Sequence, residues 1–182
     1  MTIADTPRFS LTGRRSRSVD RVPGTAGFDA LYRAEFRPLV RIGFAMTGST
    51  AEAEEIVQEA FLRCYQRWGQ VATYDRPGAW LRRVVINLAA SRGRRVRREV
   101  LAVARLGARP AAADTGPPDD GTFWAAVRTL AVRQRQAVVL YYGDDLPVSD
   151  VAAIMRCAEG TVRAHLHQAR QTLATILEED AR

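Results

Sequence analysis

The chain contains no lysine, so its 27 Lys-plus-Arg residues are all arginine. Only two cysteines occur, Cys64 and Cys157, far apart in sequence. That spacing excludes a disulfide framework and fits a reducing, cytoplasmic setting. No apolar stretch approaches the ~20 residues needed to cross a bilayer, so membrane insertion is not expected. Residues 1–27 carry Arg14, Arg15 and Arg17 with no apolar run behind them, so they lack the pattern of an export signal. No segment of useful length alternates with strand period, and no internal repeat is present. A P-loop, a metal-spaced Cys/His or carboxylate cluster and a Ser/His/Asp arrangement are all missing, so no catalytic residue, metal ligand or cofactor is expected and the reading is of a non-enzyme.

What is present is positive charge. The 182 residues carry a formal charge of +7. A polyanionic partner follows, nucleic acid before an anionic membrane surface. The planar fork of arginine bonds phosphate or guanine at two points. Codon bias in a GC-rich genome would also enrich arginine, so composition alone does not decide.

Helical periodicity organises the rest. Residues 1–25 mix Thr, Ser, Arg, Gly and Pro and read as a disordered basic tail. From 28 to 47 the apolar residues Phe28, Leu31, Tyr32, Phe36, Leu39, Val40 and Phe44 fall at helical spacing. Ser49 and Glu52 form a capping-box pattern that opens a second helix. Its stripe of Ile56, Val57, Ala60, Phe61, Cys64, Tyr65 and Trp68 defines one buried face, and Gly69 closes it. Residues 69–76 read as a loop. Pro77 suits the first turn of a helix that buries Trp80, Leu81, Val84, Val85 and Leu88. Residues 99–121, rich in Ala, Gly and Pro and acidic toward the end, read as a flexible linker. The expected fold class is therefore all-α, with two small helical domains, 26–98 and 122–182, joined by that linker.

The sharpest local signal is a helix-turn-helix at 147–173. Val151, Ala152 and Met155 pack its first helix, and Val162, Leu166, Ala169 and Leu173 its second. The short turn 156–158 forces a steep crossing, which presents the second helix to a major groove. Arg163, Ala164, His167 and Arg170 form the opposite face and are the candidate DNA contacts. The plainer reading is a helical hairpin with a solvated basic face. His165 and His167 are two residues apart, whereas a helical metal pair needs four.

Two further faces stand out. In the helix from Pro77, Arg83, Asn87, Ser91 and Arg94 form a polar stripe opposite the apolar one, with Arg95 and Arg98 beyond it. Five arginines lie within residues 92–98, a density above what solubility requires. Arginines on phosphates and Asn87 on a base would suit DNA, and Tyr74 and Trp80 could stack on exposed bases, although Trp80 also fits a core. The helix at 51–68 is acidic in its first half through Glu52, Glu54, Glu55 and Glu59. This offsets the helix dipole or marks a protein-docking surface.

Taken together, AEAEEIVQEAFLRCYQRW, RPGAWLRRVVINLAASRGRR and LAVRQRQAVVLYYGDDLPVSDVAAIMRCAEGTVRAHLHQAR resemble, in this order, the extracytoplasmic-function sigma factors of bacterial RNA polymerase. The resemblance covers about residues 28–98 and 122–176. Thr47-Gly48 and the run NLAASR are similar to an actinobacterial SigE-like subgroup. The resemblance implies that 26–98 is sigma region 2, which binds polymerase and reads and melts the promoter −10 element, and that 122–182 is region 4, which reads the −35 element. Glu54, Glu55, Gln58 and Glu59 would then face core RNA polymerase at the clamp helices of its β′ subunit, with β as a further partner. Arg83, Asn87, Ser91 and Arg94 would meet the −10 strand, with Asn87 reading a flipped base. Arg163, Ala164, His167 and Arg170 would meet the −35 duplex. An anti-sigma partner is a further implication of the family. The sequence departs from it at Ala158 and Pro147, where Ser is usual, and at Ser91, where Asp is common. Losing the Ser before the recognition helix removes a cap worth ~1 kcal/mol. The rival reading is a helix-turn-helix regulator that works without polymerase. Against it stand the acidic helix and the two-block layout.

Overall fold

Spacings of three and four residues give each amphipathic segment one apolar face, and the fold is the solution that lets those faces meet. The computed structural model describes residues 25–105 and 121–180. Eight helices are present among the described residues, and no strand. The tail at 1–24 and residues 106–120 of the expected linker lie outside the described residues.

Helix α1 (Thr25–Thr47) runs through Pro38 without ending. Helix α2 (Thr50–Gln66) is opened by Ser49, whose side chain accepts a hydrogen bond from the Glu52 amide at 3.3 Å. The serine half of the expected capping box is therefore present. The end of α2 differs from expectation. Arg67 caps it, and a short helix α3 (Trp68–Val71) follows where a loop had been read. Val71 is fully buried, and that burial draws the turn inward. Helix α4 (Pro77–Arg105) also exceeds its expected end, extending through residues 99–105 that had been assigned to the linker. The run VLAVAR is made of residues with good or tolerable helix propensity, so an Ala-rich composition was misread as linker. Among the described residues no helix is long and apolar enough to cross a membrane.

Helices α1, α2 and α4 pack on one another. Gly43 of α1 lies so close to Ala53 of α2 that an added Cβ would sit 3.0 Å from the alanine methyl. Phe28 meets Phe61, Tyr65 and Trp68 edge-on. Trp80 is half-buried against the core, as the core reading of that residue required.

The second unit comprises α5 (Gly121–Thr129), α6 (Val132–Val138), α7 (Val148–Met155) and α8 (Glu159–Asp180). A π-helical turn, Val139–Gly143, continues α6. Pro147 precedes α7 without a side-chain cap, its carbonyl accepting from Asp150 and Val151 amides. Arg156 ends α7 in the left-handed region at φ 54°. The Ala158 carbonyl accepts from the Thr161 and Val162 amides as α8 begins.

The two units are not apart. Buried residues of both belong to one continuous apolar cluster, and α1 contacts α5 and the π turn while α4 contacts α7.

Two outcomes test this packing. Gly43→Ala should lower the unfolding free energy by about 1–3 kcal/mol in urea titration; an unchanged stability would mean that the α1–α2 approach is not close-packed. Burial pushes the Cys64 thiol up to about 12, whereas Cys157 is only half-buried. At about pH 8 a thiol reagent should modify Cys157 in the native protein and reach Cys64 only on unfolding. Equal rates at both thiols would contradict the buried placement.

Candidate nucleic-acid interface

Helix α8 separates its two faces as its sequence demands. Val162, Leu166, Ala169 and Leu173 are buried. Arg163, Ala164, His167 and Arg170 are all exposed. Arg163 bonds Glu159 one turn earlier at 2.7 Å, an exposed pair that a phosphate or base edge can displace at little cost. His165 is half-buried, away from the exposed His167. The first turn of α8 carries Glu159, so the missing side-chain cap at Ala158 is partly offset by favourable charge at the helix start.

The α4 stripe divides. Asn87, Ser91 and Arg94 are exposed along one side of the helix. Arg83, expected to share that outward face, does not. Its guanidinium donates to the Ile154 carbonyl at 2.9 Å and the Ala153 carbonyl at 2.7 Å, both at the end of α7. Those carbonyls have no partner within their own helix, and the negative end of the helix dipole favours a cation there. Burial, and secondarily the nearby Arg156 charge, push Arg83 down to about 10, so it stays charged at neutral pH. Tyr74 is half-buried and packs on the core.

On α2, Glu54, Glu55 and Gln58 are exposed and Glu59 is half-buried. Glu59 bonds Arg63 at 2.7 Å, and Glu55 bonds Arg92 of α4 at 2.8 Å. The acidic face thus adjoins the arginine-rich end of α4.

Sequence reasoning missed a set of charged residues between the units. Arg82 lies between Glu35 of α1 at 2.7 Å and Asp144, just after the π turn, at 2.5 Å. The three side chains are 14%, 21% and 7% exposed. Burial is the largest single influence on Arg82 and works against its charge, but the Asp144 hydrogen bond and the two carboxylate charges outweigh it and the pKa rises. Gly78 makes the approach of Glu35 feasible, since an added Cβ there would lie 2.3 Å from its carboxylate oxygen. Arg76 forms a two-pronged pair with Asp150 at 2.5 and 2.6 Å. Gln136 donates to the Ile86 carbonyl and Arg135 to the Met46 carbonyl, again from one unit to the other. No periodicity could reveal partners separated by 50–89 residues.

Two stretches of the chain match family models, Sigma-70 region 2 over residues 31–99 and Sigma-70 region 4 over residues 121–173. The chain belongs to the extracytoplasmic-function sigma factors. It is 29% identical over 181 residues to the ECF RNA polymerase sigma factor SigM of Mycobacterium tuberculosis, covering 94% of this chain and 90% of that protein. It is 29% identical over 152 residues to an RNA polymerase sigma-E factor of Streptomyces antibioticus, covering 83% and 84%. In fold it is similar to the sigma factor RpoE of Bartonella quintana, solved with the anti-sigma factor NepR, with a TM-score of 0.68, 24% identity and coverage of 83% and 96%. Members of the family are transcription initiation factors rather than enzymes. The polymerase-independent regulator is not favoured, because region 2 matches as well as the helix-turn-helix.

Proposed function

We propose that this sigma factor binds core RNA polymerase and directs it to promoters by reading two DNA elements with two helices. In this reading residues 26–98, extended by the helix to Arg105, act as region 2, and residues 122–182 act as region 4. Glu54, Glu55, Gln58 and Glu59 meet the β′ clamp helices, with β as a further contact. Asn87, Ser91 and Arg94, joined by Arg83 once it leaves α7, meet the unpaired −10 strand. Arg163, Ala164, His167 and Arg170 enter the major groove of the −35 duplex. The reading implies a cytoplasmic protein, where polymerase and DNA are. The family alone supports an anti-sigma partner.

The observation that carries the proposal is the pairing of both sigma blocks, in order, with two exposed polar helix faces that their own units do not bury. No covalent chemistry is required of this chain. Phosphate contacts fix register, base-edge contacts choose sequence, and a pocket that holds only certain flipped bases recovers the few kcal/mol spent on unstacking.

In run-off transcription with purified core polymerase and a random promoter library, the chain should impose a start-site preference; indifference of the polymerase would overturn the proposal. Asn87→Ala should weaken promoter opening by about 1–3 kcal/mol, a factor of about five to 150, while core polymerase still copurifies with the variant. Equal loss of both activities would remove Asn87 from base reading. Arg163→Ala should lower transcription by a similar factor, about 1–3 kcal/mol, at promoters with a matched −35 element. A uniform loss on all DNA would reduce Arg163 to a phosphate contact.

A further inference from the structure

Helix α2 carries one face that its own bundle leaves in water. Glu54, Glu55, Gln58, Leu62 and Tyr65 are all exposed, and at about 100° per residue they fall within about 100° of one another around the helix. This stripe changes character along its length. Its start is acidic, and its end is apolar, with Leu62 51% and Tyr65 57% exposed. A face of this kind suits a segment that brings apolar residues to one end and cations to the other.

Such a segment precedes α1 in this chain. Residues 1–24 hold five arginines against two aspartates. Counting back from Thr25, Val22 and Val19 come first, with Arg21 and Asp20 between them, and then Arg17, Arg15 and Arg14. Helix α1 starts beside the end of α2. Phe28 meets Tyr65 at 5.3 Å between ring centroids, whereas Gly43 lies against Ala53 near the start of α2. The chain before Thr25 therefore reaches the apolar end of the stripe first and the acidic end after it, which is the order in which its own residues change. The reach fits as well. Tyr65 and Glu55 are ten residues apart, about 15 Å of helix. Arg17 and Arg14 stand eight and eleven residues before Thr25, so an extended backbone carries them up to about 26 and 36 Å. Both can lie over Glu54 and Glu55 without a taut chain. Covalent attachment gives the segment an effective concentration at the face of about millimolar, so individually weak exposed ion pairs are enough to hold it there for much of the time.

We propose that residues 14–22 lie along this face of α2 in the free protein, Val19 and Val22 against Leu62 and Tyr65, and Arg14, Arg15 and Arg17 against Glu54 and Glu55, so that polymerase must displace them in order to dock. The contact itself does not depend on the promoter reading; its consequence for polymerase rests on the assignment of this face to the clamp helices. With benzoylphenylalanine in place of Ser16 in the full chain, irradiation should join that position, within the same molecule, to α2 between residues 51 and 65, as mapped by mass spectrometry. Glu54→Arg/Glu55→Arg should reduce this crosslink at least threefold. Adding Arg14→Glu/Arg15→Glu/Arg17→Glu should restore it, which a misfolded α2 could not do.

Affinity for core polymerase provides the second readout. A face covered for two-thirds of the time lowers apparent affinity about threefold, so Arg14→Ala/Arg15→Ala/Arg17→Ala should bind polymerase about threefold more tightly than the wild type, or better. Arg33→Ala/Arg37→Ala/Arg41→Ala removes equal charge from exposed positions of α1 and should stay close to the wild type. Crosslinks that are absent, scattered over the chain or formed between two molecules would overturn the contact; so would charge reversal without restoration. Equal tightening by the two triple variants would overturn the displacement. If the crosslinks fall on α2 while polymerase affinity does not change, the contact stands and this face is removed from polymerase docking.

Discussion

Of the contacts that join the two helical units, the most deeply buried ion pair is the one made by Arg82. Its guanidinium sits between a carboxylate of its own unit, Glu35, and one of the other, Asp144. Buried ion pairs add little net stability over well-packed apolar groups, because desolvation consumes most of the Coulomb gain. Removing one partner is another matter and costs about 3–5 kcal/mol, since a charge is then left without compensation. The triad therefore acts mainly on specificity. It fixes which face of α4 meets the second unit and penalises any other arrangement in which Asp144 or Arg82 is buried alone. Arg76, Arg83 and Gln136 can then meet partners that only this register supplies.

The seam is apolar as well as charged, since buried residues on both sides form one cluster. That continuity would favour permanent closure if every polar group in it were satisfied. Two guanidinium nitrogens are not. An unsatisfied buried donor costs about 1–3 kcal/mol, comparable to the modest margin by which such contacts are stable. Burial accordingly lowers the pKa of both Arg128 and Arg135, the mark of cations held where water would serve them better. The closed form is thus a compromise between well-aimed ion pairs and poorly served ones.

How much of this the sequence contained follows from the range of each signal. The faces of α2, α4, α7 and α8 were legible because side chains three and four apart share a face wherever a helix forms, and the outward placement of Arg163, His167 and Arg170 follows from the burial of Val162, Leu166 and Ala169. The extension of α4 to Arg105 was misread because alanine is both a linker residue and the best helix former. The turn at Trp68–Val71 was missed because it answers to the burial of one side chain, Val71, and not to a period. Arg83 shows the limit most clearly. Its spacing put it in the stripe with Asn87, Ser91 and Arg94, but a stripe says only that a residue faces away from its own core. It cannot say whether water, DNA or another part of the chain waits there.

The π turn at Val139–Gly143 supplies the remaining step. In an α-helix each residue advances the azimuth by about 100°. A π turn accommodates one extra residue, so every side chain after it points about 100° from where an uninterrupted helix would aim it. Leu140, fully buried within the turn, accepts a hydrogen bond from the Leu146 amide beyond it, which closes the excursion. Asp145 adopts a positive φ of 51° in the same bend. Both features are locally unfavourable for side-chain-bearing residues. The turn ends at Gly143, and the next residue, Asp144, pairs with Arg82. Local irregularity in the second unit therefore lies immediately before the carboxylate that completes the ion triad. Since that distortion lies in the same segment that leads into the helix-turn-helix, the reach of Asp144 and the position of α7 over Arg83 are set together.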